Sequence, residues 1–415
     1  MTWQNTTPLF CTLAAAVACA SSGMASAALI EDSKASLELR NMYMSRDFRN
    51  ENGNPTQEDW GQGFTLRFQS GFTEGQVGFG LDAIAQLGLK LDSTAGNSRT
   101  GVLAVNDAGV PEDNWSELGL TAKANIGETT LRLGALQPVL PVIMYNDTRL
   151  LSGTFTGGMV SSQQDIDGLQ LNAGRVTEAN LRDSSSRDDM QYVYNGAESD
   201  HFDFAGGSYD LFDGLTASYY YGELKDAYKQ HFLGLVNVLP LSDKLSLRTD
   251  LRYFQSNDSG DAIGGEIDNN ALMGMVTLNA GPHKFSGAYQ RISGDGNFPF
   301  MAGSDPYSVN LVTYNTFSKA ETDAWQLRYD FDFVALGVPG LSFMTRYVKG
   351  YDIETPTVSD GSEWERDTDL VYTVQDGSLK GLNVRLRNVA FRSGDGLTTD
   401  VNENRLIIGY TLPLW

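Results

Sequence analysis

Apolar and polar side chains alternate along Gly381–Arg392 (GLNVRLRNVAFR): Leu382, Val384 and Leu386 share one parity, Asn383, Arg385 and Arg387 the other. A β-strand sends successive side chains to opposite faces, so the pattern predicts a strand that is apolar on one side and doubly cationic on the other. Similar alternation marks Ala35–Arg46, Gln62–Ser70, Gln76–Leu87, Trp115–Ile126, Thr129–Leu136 and Thr154–Gln163. It returns at Leu169–Val176, Phe202–Asp210, Leu215–Glu223, Lys229–Val238, Lys244–Gln255 and Asn269–Asn279. The last six segments are His283–Ile292, Thr322–Phe333, Gly340–Gly350, Arg366–Gln375, Lys380–Phe391 and Glu403–Leu414. Eighteen strands result, an even number as a bacterial barrel with both termini in the periplasm requires. Met190–Asn195 also alternates, but a nineteenth strand would break that count, so it is placed inside the Thr177–His201 connection.

The connections fall into two kinds. Alternate ones are short and rich in turn formers: Gly71–Gly75, Gly127-Glu128, Asp165–Gly168, Phe212–Gly214, Pro240–Asp243, Gly281-Pro282, Gly337–Pro339 and Asp376–Ser378. The others are long: Asp47–Gly61, Gly88–Asn114, Pro138–Gly153, Thr177–His201, Asn257–Asp268, Ser293–Glu321, Tyr351–Glu365 and Arg392–Asn402, with Leu224–Tyr228 the brief exception. Short turns on one side and long loops on the other are expected of an outer-membrane β-barrel, whose apolar face meets lipid and whose polar face meets a lumen. The fold class expected is therefore all-β, a transmembrane antiparallel barrel. The apolar run Leu140–Tyr145 implies that at least one external loop packs into the lumen, because such a run is rarely left exposed.

Parity then sorts the charges. In Trp325–Phe333, Trp325, Leu327, Tyr329 and Phe331 take the lipid side, and Gln326, Arg328, Asp330 and Asp332 the lumen. The same rule points Arg40, Arg67, Lys123, Arg132, Arg248, Arg252, Arg346 and Arg405 inward, with Glu38, Asp82, Asp250 and Asp330. Lipid-facing arginine would cost roughly 2–4 kcal/mol at the midplane. The chain carries a net charge of −22, so the acidic excess is expected in loops such as Asp107–Asp113, Asp183–Asp189 and Glu363–Asp369. Inward cations would then outnumber inward acids. Arginine suits a path for carboxylates because its planar fork binds two oxygens and keeps its charge. The acidic total argues against nucleic acid as a partner.

Residues 1–27 hold no charged side chain, and the apolar Leu9–Ala20 stretch followed by Ala25-Ser26-Ala27 predicts a signal peptide cleaved after Ala27. The barrel domain would then be residues 28–415, exported to the bacterial outer membrane. Cys11 and Cys19 both lie in the leader, so the mature chain has no disulfide, thiolate metal site or cysteine nucleophile. The three histidines, His201, His231 and His283, sit near strand ends without a serine nucleophile motif, so neither a barrel hydrolase nor a catalytic site is expected. No ligand spacing suggests a metal or cofactor. A general, weakly selective pore remains the alternative to a selective channel.

The plan of turns and loops, with Leu140–Leu151 (LPVIMYNDTRLL), Leu336–Leu341 (LGVPGL), Val384-Arg385-Leu386-Arg387 and Arg405–Tyr410 (RLIIGY), resembles the OprD (Occ) porins, substrate-specific outer-membrane channels of pseudomonads and relatives. The resemblance runs over essentially the whole mature chain. It implies an eighteen-stranded barrel narrowed by inward loops, with a ladder of arginines, and small carboxylate-bearing nutrients as substrates. Carried onto this chain, the ladder falls on Arg385, Arg387 and Arg405. The third external loop, Pro138–Gly153, would bring Tyr145, Asp147 and Arg149 to the constriction, and the seventh, Ser293–Glu321, would bring Asp305, Tyr307 and Ser308. The Arg182–Met190 segment (RDSSSRDDM) and the chain length favour the monocarboxylate branch over the amino-acid one. Expected partners are such solutes, outer-membrane lipid and lipopolysaccharide, and the barrel-assembly machinery, with the barrel a monomer or loose trimer. Trp415 replaces the family's usual terminal Phe, and Pro413 lies in the final strand.

Overall fold

The computed structural model describes residues 29–49, 56–163, 165–394 and 396–415. The expected signal peptide lies outside them. Eighteen antiparallel strands close into one barrel. In chain order they are β1 (Lys34–Phe48), β2 (Gln57–Gln69), β3 (Gly78–Asp92), β4 (Asn114–Ile126), β5 (Thr129–Leu136) and β6 (Thr154–Gln163). The next are β7 (Leu169–Asn180), β8 (Phe202–Phe212), β9 (Leu215–Leu224), β10 (Tyr228–Ser242), β11 (Leu245–Asp258) and β12 (Asp268–Ala280). The last are β13 (His283–Asp295), β14 (Asp323–Asp332), β15 (Leu341–Thr355), β16 (Val358–Thr373), β17 (Asn383–Ser393) and β18 (Val401–Pro413). Each strand pairs with its neighbours in sequence, and β18 returns to β1 in the register Arg40↔Gly409 and Met44↔Arg405. Closure leaves no unpaired edge, the condition for crossing a bilayer with strands.

The period-two pattern is what the barrel wall reads out. Leu327, Leu386, Leu118 and Leu272 point outward and are exposed, while Gln326, Glu117 and Arg405 point inward and are buried. The tight turns are enforced locally: Gly127 (φ 57°) and Gly214 (φ 81°) hold left-handed backbone where two strands reverse.

The external side departs from an open cylinder. Wall residues Phe202, Phe204, Tyr220, Phe232 and Phe254 form one buried cluster with loop residues Val142, Ile143, Met190, Tyr192, Phe298 and Met301. Apolar area inside a barrel can be buried only by material folded into it, and the loops supply that material. Loop residues 137–153 and 296–322 join across the lumen: Tyr145 forms an antiparallel bridge with Ser304. The Asp305 N–H donates to the Met144 carbonyl at 2.8 Å. The connection 181–201 joins them through a bridge between Tyr192 and Met301. Its short strand Arg187–Gln191 pairs antiparallel with the outer end of β7, Arg187 opposite Asn180, beyond the stretch of β7 that pairs with β8.

Two expectations fail on β15 and β16. Tyr351–Glu365 is not a long loop: the strands run on into a tight hairpin, Thr355 pairing with Val358. Thr355 Oγ1 accepts the Val358 N–H at 3.0 Å. Accordingly Glu363, Glu365, Asp367 and Asp369 are not loop acids. They alternate along β16 with Trp364, Arg366, Thr368 and Leu370, face the lumen and are buried. Inward acids are therefore far more numerous than the sequence charge count implies.

Candidate functional site

Two cavities follow one another through the lumen. The upper, about 550 Å³, is bounded by Arg40 and Glu38 of β1, Asp147 and Arg149 of the third loop, and Arg182 of the fourth. Asp305, Thr313 and Tyr314 of the seventh loop, with Arg385, Arg387 and Arg405, complete it. The lower, about 500 Å³, is bounded by Arg328, Asp330, Arg346, Asp369, Arg385 and Arg387 and reaches the short Gly281-Pro282 turn. Arg385 and Arg387 belong to both, so their strand forms the passage between them.

The pairing of these cations decides what each can do. Arg387 forks Asp369 at 2.6 and 2.5 Å. Arg405 pairs with Glu403 at 2.5 Å, Arg346 with Asp367 at 2.7 Å and Arg328 with Asp330 at 2.6 Å. Arg40 lies 2.6 Å from Glu38 and 2.7 Å from Asp147. Arg385 is different: its nearest carboxylate contact is Asp369 at 3.9 Å, and 39% of its side chain is exposed. Arg149 donates to the Thr100 and Thr148 carbonyls at 3.2 and 3.0 Å, and Arg182 to Thr148 Oγ1 at 3.2 Å. Neither bonds a carboxylate among the described residues. Uncompensated charge thus gathers at Arg149, Arg182 and Arg385.

The seventh loop is held in place by the β16 acids. Glu365 accepts the Tyr314 and Asn315 N–H groups, each at 2.8 Å. Asp367 accepts the Thr313 hydroxyl at 2.8 Å, and Glu363 takes Lys319 Nζ at 2.7 Å. Arg405 then donates to the Thr313 carbonyl at 3.1 Å. Carboxylates that accept two or three donors are the strong case of charge-assisted hydrogen bonding, so the loop tip is fixed against the wall.

The remaining expected residues lie elsewhere. Arg252 pairs with Asp250 at 2.9 Å and stacks on the Tyr307 ring at 3.8 Å. Arg248 lies 3.5 Å from the same Asp250. Arg67 reaches Gln137 at 3.0 Å, Lys123 pairs with Asp82 at 2.6 Å, and Arg132 is half-buried on β5. None of them bounds either cavity. Tyr145 and Tyr307 pack against the apolar cluster, and Ser308 donates to Gln290 Oε1 at 2.6 Å. These three support the loops and bound neither cavity. Asp305 bounds the upper cavity: it accepts the Asn146 amide at 2.5 Å, and burial pushes its carboxyl up to about 6, against the pull of Arg182.

Arg182 was not among the expected site residues, because nothing local tells which loop residue turns into a lumen. The β16 acids carried a usable signal, since their alternation with Trp364, Arg366 and Leu370 is itself a strand pattern.

Comparison with known proteins places this geometry. A family model described as outer membrane porin, OprD family, matches residues 27–414. Porin D of Pseudomonas aeruginosa is 38% identical over 414 residues, covering 93% of this chain and 92% of that protein. The crystal structure of Pseudomonas aeruginosa OccK9 (OpdG) superposes with a TM-score of 0.90 at 40% identity, covering 93% of this chain and all of that one. Pseudomonas aeruginosa OpdK, solved with vanillate, gives a TM-score of 0.88 at 37% identity over 93% of this chain and all of that one.

Proposed function

The chain belongs to the OprD family of outer-membrane porins, and from that premise we propose that it passes small monocarboxylates along Arg149, Arg182 and Arg385 into the periplasm. It is a channel of the outer membrane, and its role on this proposal is passive uptake, not catalysis. One observation carries the proposal: of the two arginines that bound both cavities, Arg385 and Arg387, Arg385 is the one that no carboxylate neutralises closely. A carboxylate entering from outside would meet Arg149 and Arg182 first, then Arg385, then the paired Arg328 and Arg346 below. Each contact is a bidentate or single charge-assisted bond, and several in series keep any one from holding the solute.

The acids favour simple monocarboxylates over basic amino acids. Asp147 is engaged by Arg40 at 2.7 Å and Asp305 by Asn146 at 2.5 Å. Asp147 thus offers no free carboxylate to an incoming ammonium, and Asp305, bonded only by a neutral amide, stands alone against three cations ready for a carboxylate. The vanillate in the OpdK structure is a solute of the chemistry proposed here.

Single-channel conductance in a planar bilayer tests this, with benzoate added and with the Arg385→Ala plus Arg387→Ala variant. Blockade by benzoate that the variant loses supports a selective carboxylate channel. A large conductance indifferent to benzoate and to the substitutions would leave a general pore whose arginines serve only as partners for lumen acids.

A further inference from the structure

The outward face of β15, β16 and β17 carries cations where a barrel wall should be apolar or neutral. Lys349, on the parity of Tyr347 and opposite to the buried Val348, points out. Arg366 and Trp364 point out opposite to the buried Glu363, Glu365 and Asp367. Lys349 is directly opposite Trp364, Tyr347 opposite Arg366, and Trp364 opposite Arg392. Three cations therefore surround Trp364 across three strands, a width on the order of 10 Å. The Arg392 guanidinium lies 5.7 Å from the Trp364 ring centre.

Two of the three have no carboxylate partner among the described residues. Arg366 is exposed and bonds the neutral Asn388 amide oxygen, and Lys349 is exposed with no ion pair among the described residues. Arg392 is held more firmly: it donates to the Phe391 and Val401 carbonyls at 2.7 and 3.0 Å and to Asn402 at 2.8 Å, with Asp400 at 3.7 Å. Arg291 on β13 has Asp323 at 3.9 Å and does not flank Trp364, which Arg392 does. On a chain of net charge −22, three outward cations around one indole, two of them without an ion pair among the described residues, run against the overall balance. Its height is fixed by the ring series Trp325–Tyr347–Trp364, with centroids 5.5 and 5.4 Å apart. Outward aromatics of this kind mark the membrane–water boundary, here on the side of the long loops and so at the outer leaflet.

We propose that Lys349, Arg366 and Arg392, with Trp364, form a binding site for the phosphorylated glycolipid headgroup of the outer leaflet. Phosphate takes the forked guanidinium groups and the lysine point charge. The indole face and the apolar wall below meet sugar and acyl chain. The proposal rests on the outer-membrane location and not on the carboxylate pathway, which lies on the opposite face of the same strands.

Native mass spectrometry of the full barrel in detergent tests it. Bisphosphoryl lipid A, fully dephosphorylated lipid A and inorganic phosphate are the probes, and Lys349→Gln, Arg366→Gln and Arg392→Gln are made singly and together. Retention of the bisphosphoryl form is expected, weakened roughly fivefold for each cation removed and roughly a hundredfold for all three. Unchanged single-channel conductance and unchanged heat-dependent migration on gels in the triple variant certify its fold. The proposal is overturned by equal retention of the dephosphorylated lipid, by a triple variant that binds as wild type does, or by release of the lipid at an equal concentration of inorganic phosphate. A dimer peak lost in the triple variant, with no lipid bound to the wild type, would assign the patch to a second copy of the chain instead.

Discussion

Arg385 and Arg387 share one face of one strand yet hold Asp369 unequally: Arg387 forks it at 2.5 and 2.6 Å, and Arg385 stands off at 3.9 Å. On the proposed carboxylate path, the stand-off leaves Arg385 as the charge a passing solute would reach. Hydrogen bonds to charged groups contribute about 1.5–3 kcal/mol, so Arg385→Ala should weaken benzoate blockade roughly tenfold or more. Asp369→Asn should act the other way, releasing Arg387 and strengthening the blockade. Titration of single-channel current with benzoate reads both, and a weaker blockade in Asp369→Asn would sink the idea that Asp369 masks the ladder.

Glu365 holds the tip of the seventh loop through two backbone N–H groups at 2.8 Å. In Glu365→Gln one acceptor oxygen becomes an NH₂ group facing an N–H donor. Leaving a buried donor unsatisfied costs about 1–3 kcal/mol, and the loop should detach intermittently. The expected result is added open-channel noise and brief larger conductance levels, while heat-induced unfolding on gels shifts only modestly. A quiet trace of wild-type size would show that the loop is held by other contacts.

The wall was legible because strand parity is local. Arg385, Arg387 and Arg405 could be placed in the lumen from their immediate neighbours, and β6 and β5 matched to the residue. The same rule failed at Glu363–Asp369 only where dense charge was taken for a loop; the alternation with Trp364, Arg366 and Leu370 was present throughout. The constriction is another matter. Asn146 and Asp305 meet at 2.5 Å although 159 residues separate them, and no periodicity reports a meeting of two irregular segments. Resemblance, not parity, is therefore what assigns Asp305 and Arg149; Tyr307 and Ser308, assigned in the same way, bound neither cavity, and no pattern in the chain marks Arg182.

The bridge between Tyr145 and Ser304 gives a direct test of loop pairing. Bridged antiparallel residues hold their Cα atoms about 4.5–5.5 Å apart, within the range that admits a disulfide. The only cysteines, Cys11 and Cys19, fall in the expected leader, so Tyr145→Cys plus Ser304→Cys introduces the sole thiol pair of the mature chain. Oxidation should proceed readily and leave conductance within about twofold of the reduced form, because the loops already meet there. Free thiols that persist under oxidant, or a conductance that collapses on oxidation, would mean that the two loops sit apart in the working channel.

Asp305 makes the constriction responsive to pH. Burial raises its carboxyl to about 6, with Arg182, the Asn146 amide and Arg149 pulling the other way. Above that value it is a carboxylate offsetting one of the cations around the upper cavity. Below it the group is neutral, while the guanidinium charges of Arg149, Arg182 and Arg385 persist. The lumen therefore gains net positive charge as pH falls from 7.5 to 5, and the permeability ratio of anions to cations should rise, with a midpoint near 6. Reversal potentials in a salt gradient follow this directly, and Asp305→Asn should show the acidic ratio at both ends of the range. A pH response that survives in Asp305→Asn would place the titrating group elsewhere, and a ratio that falls on acidification would reverse the sign of the electrostatics assigned to the constriction.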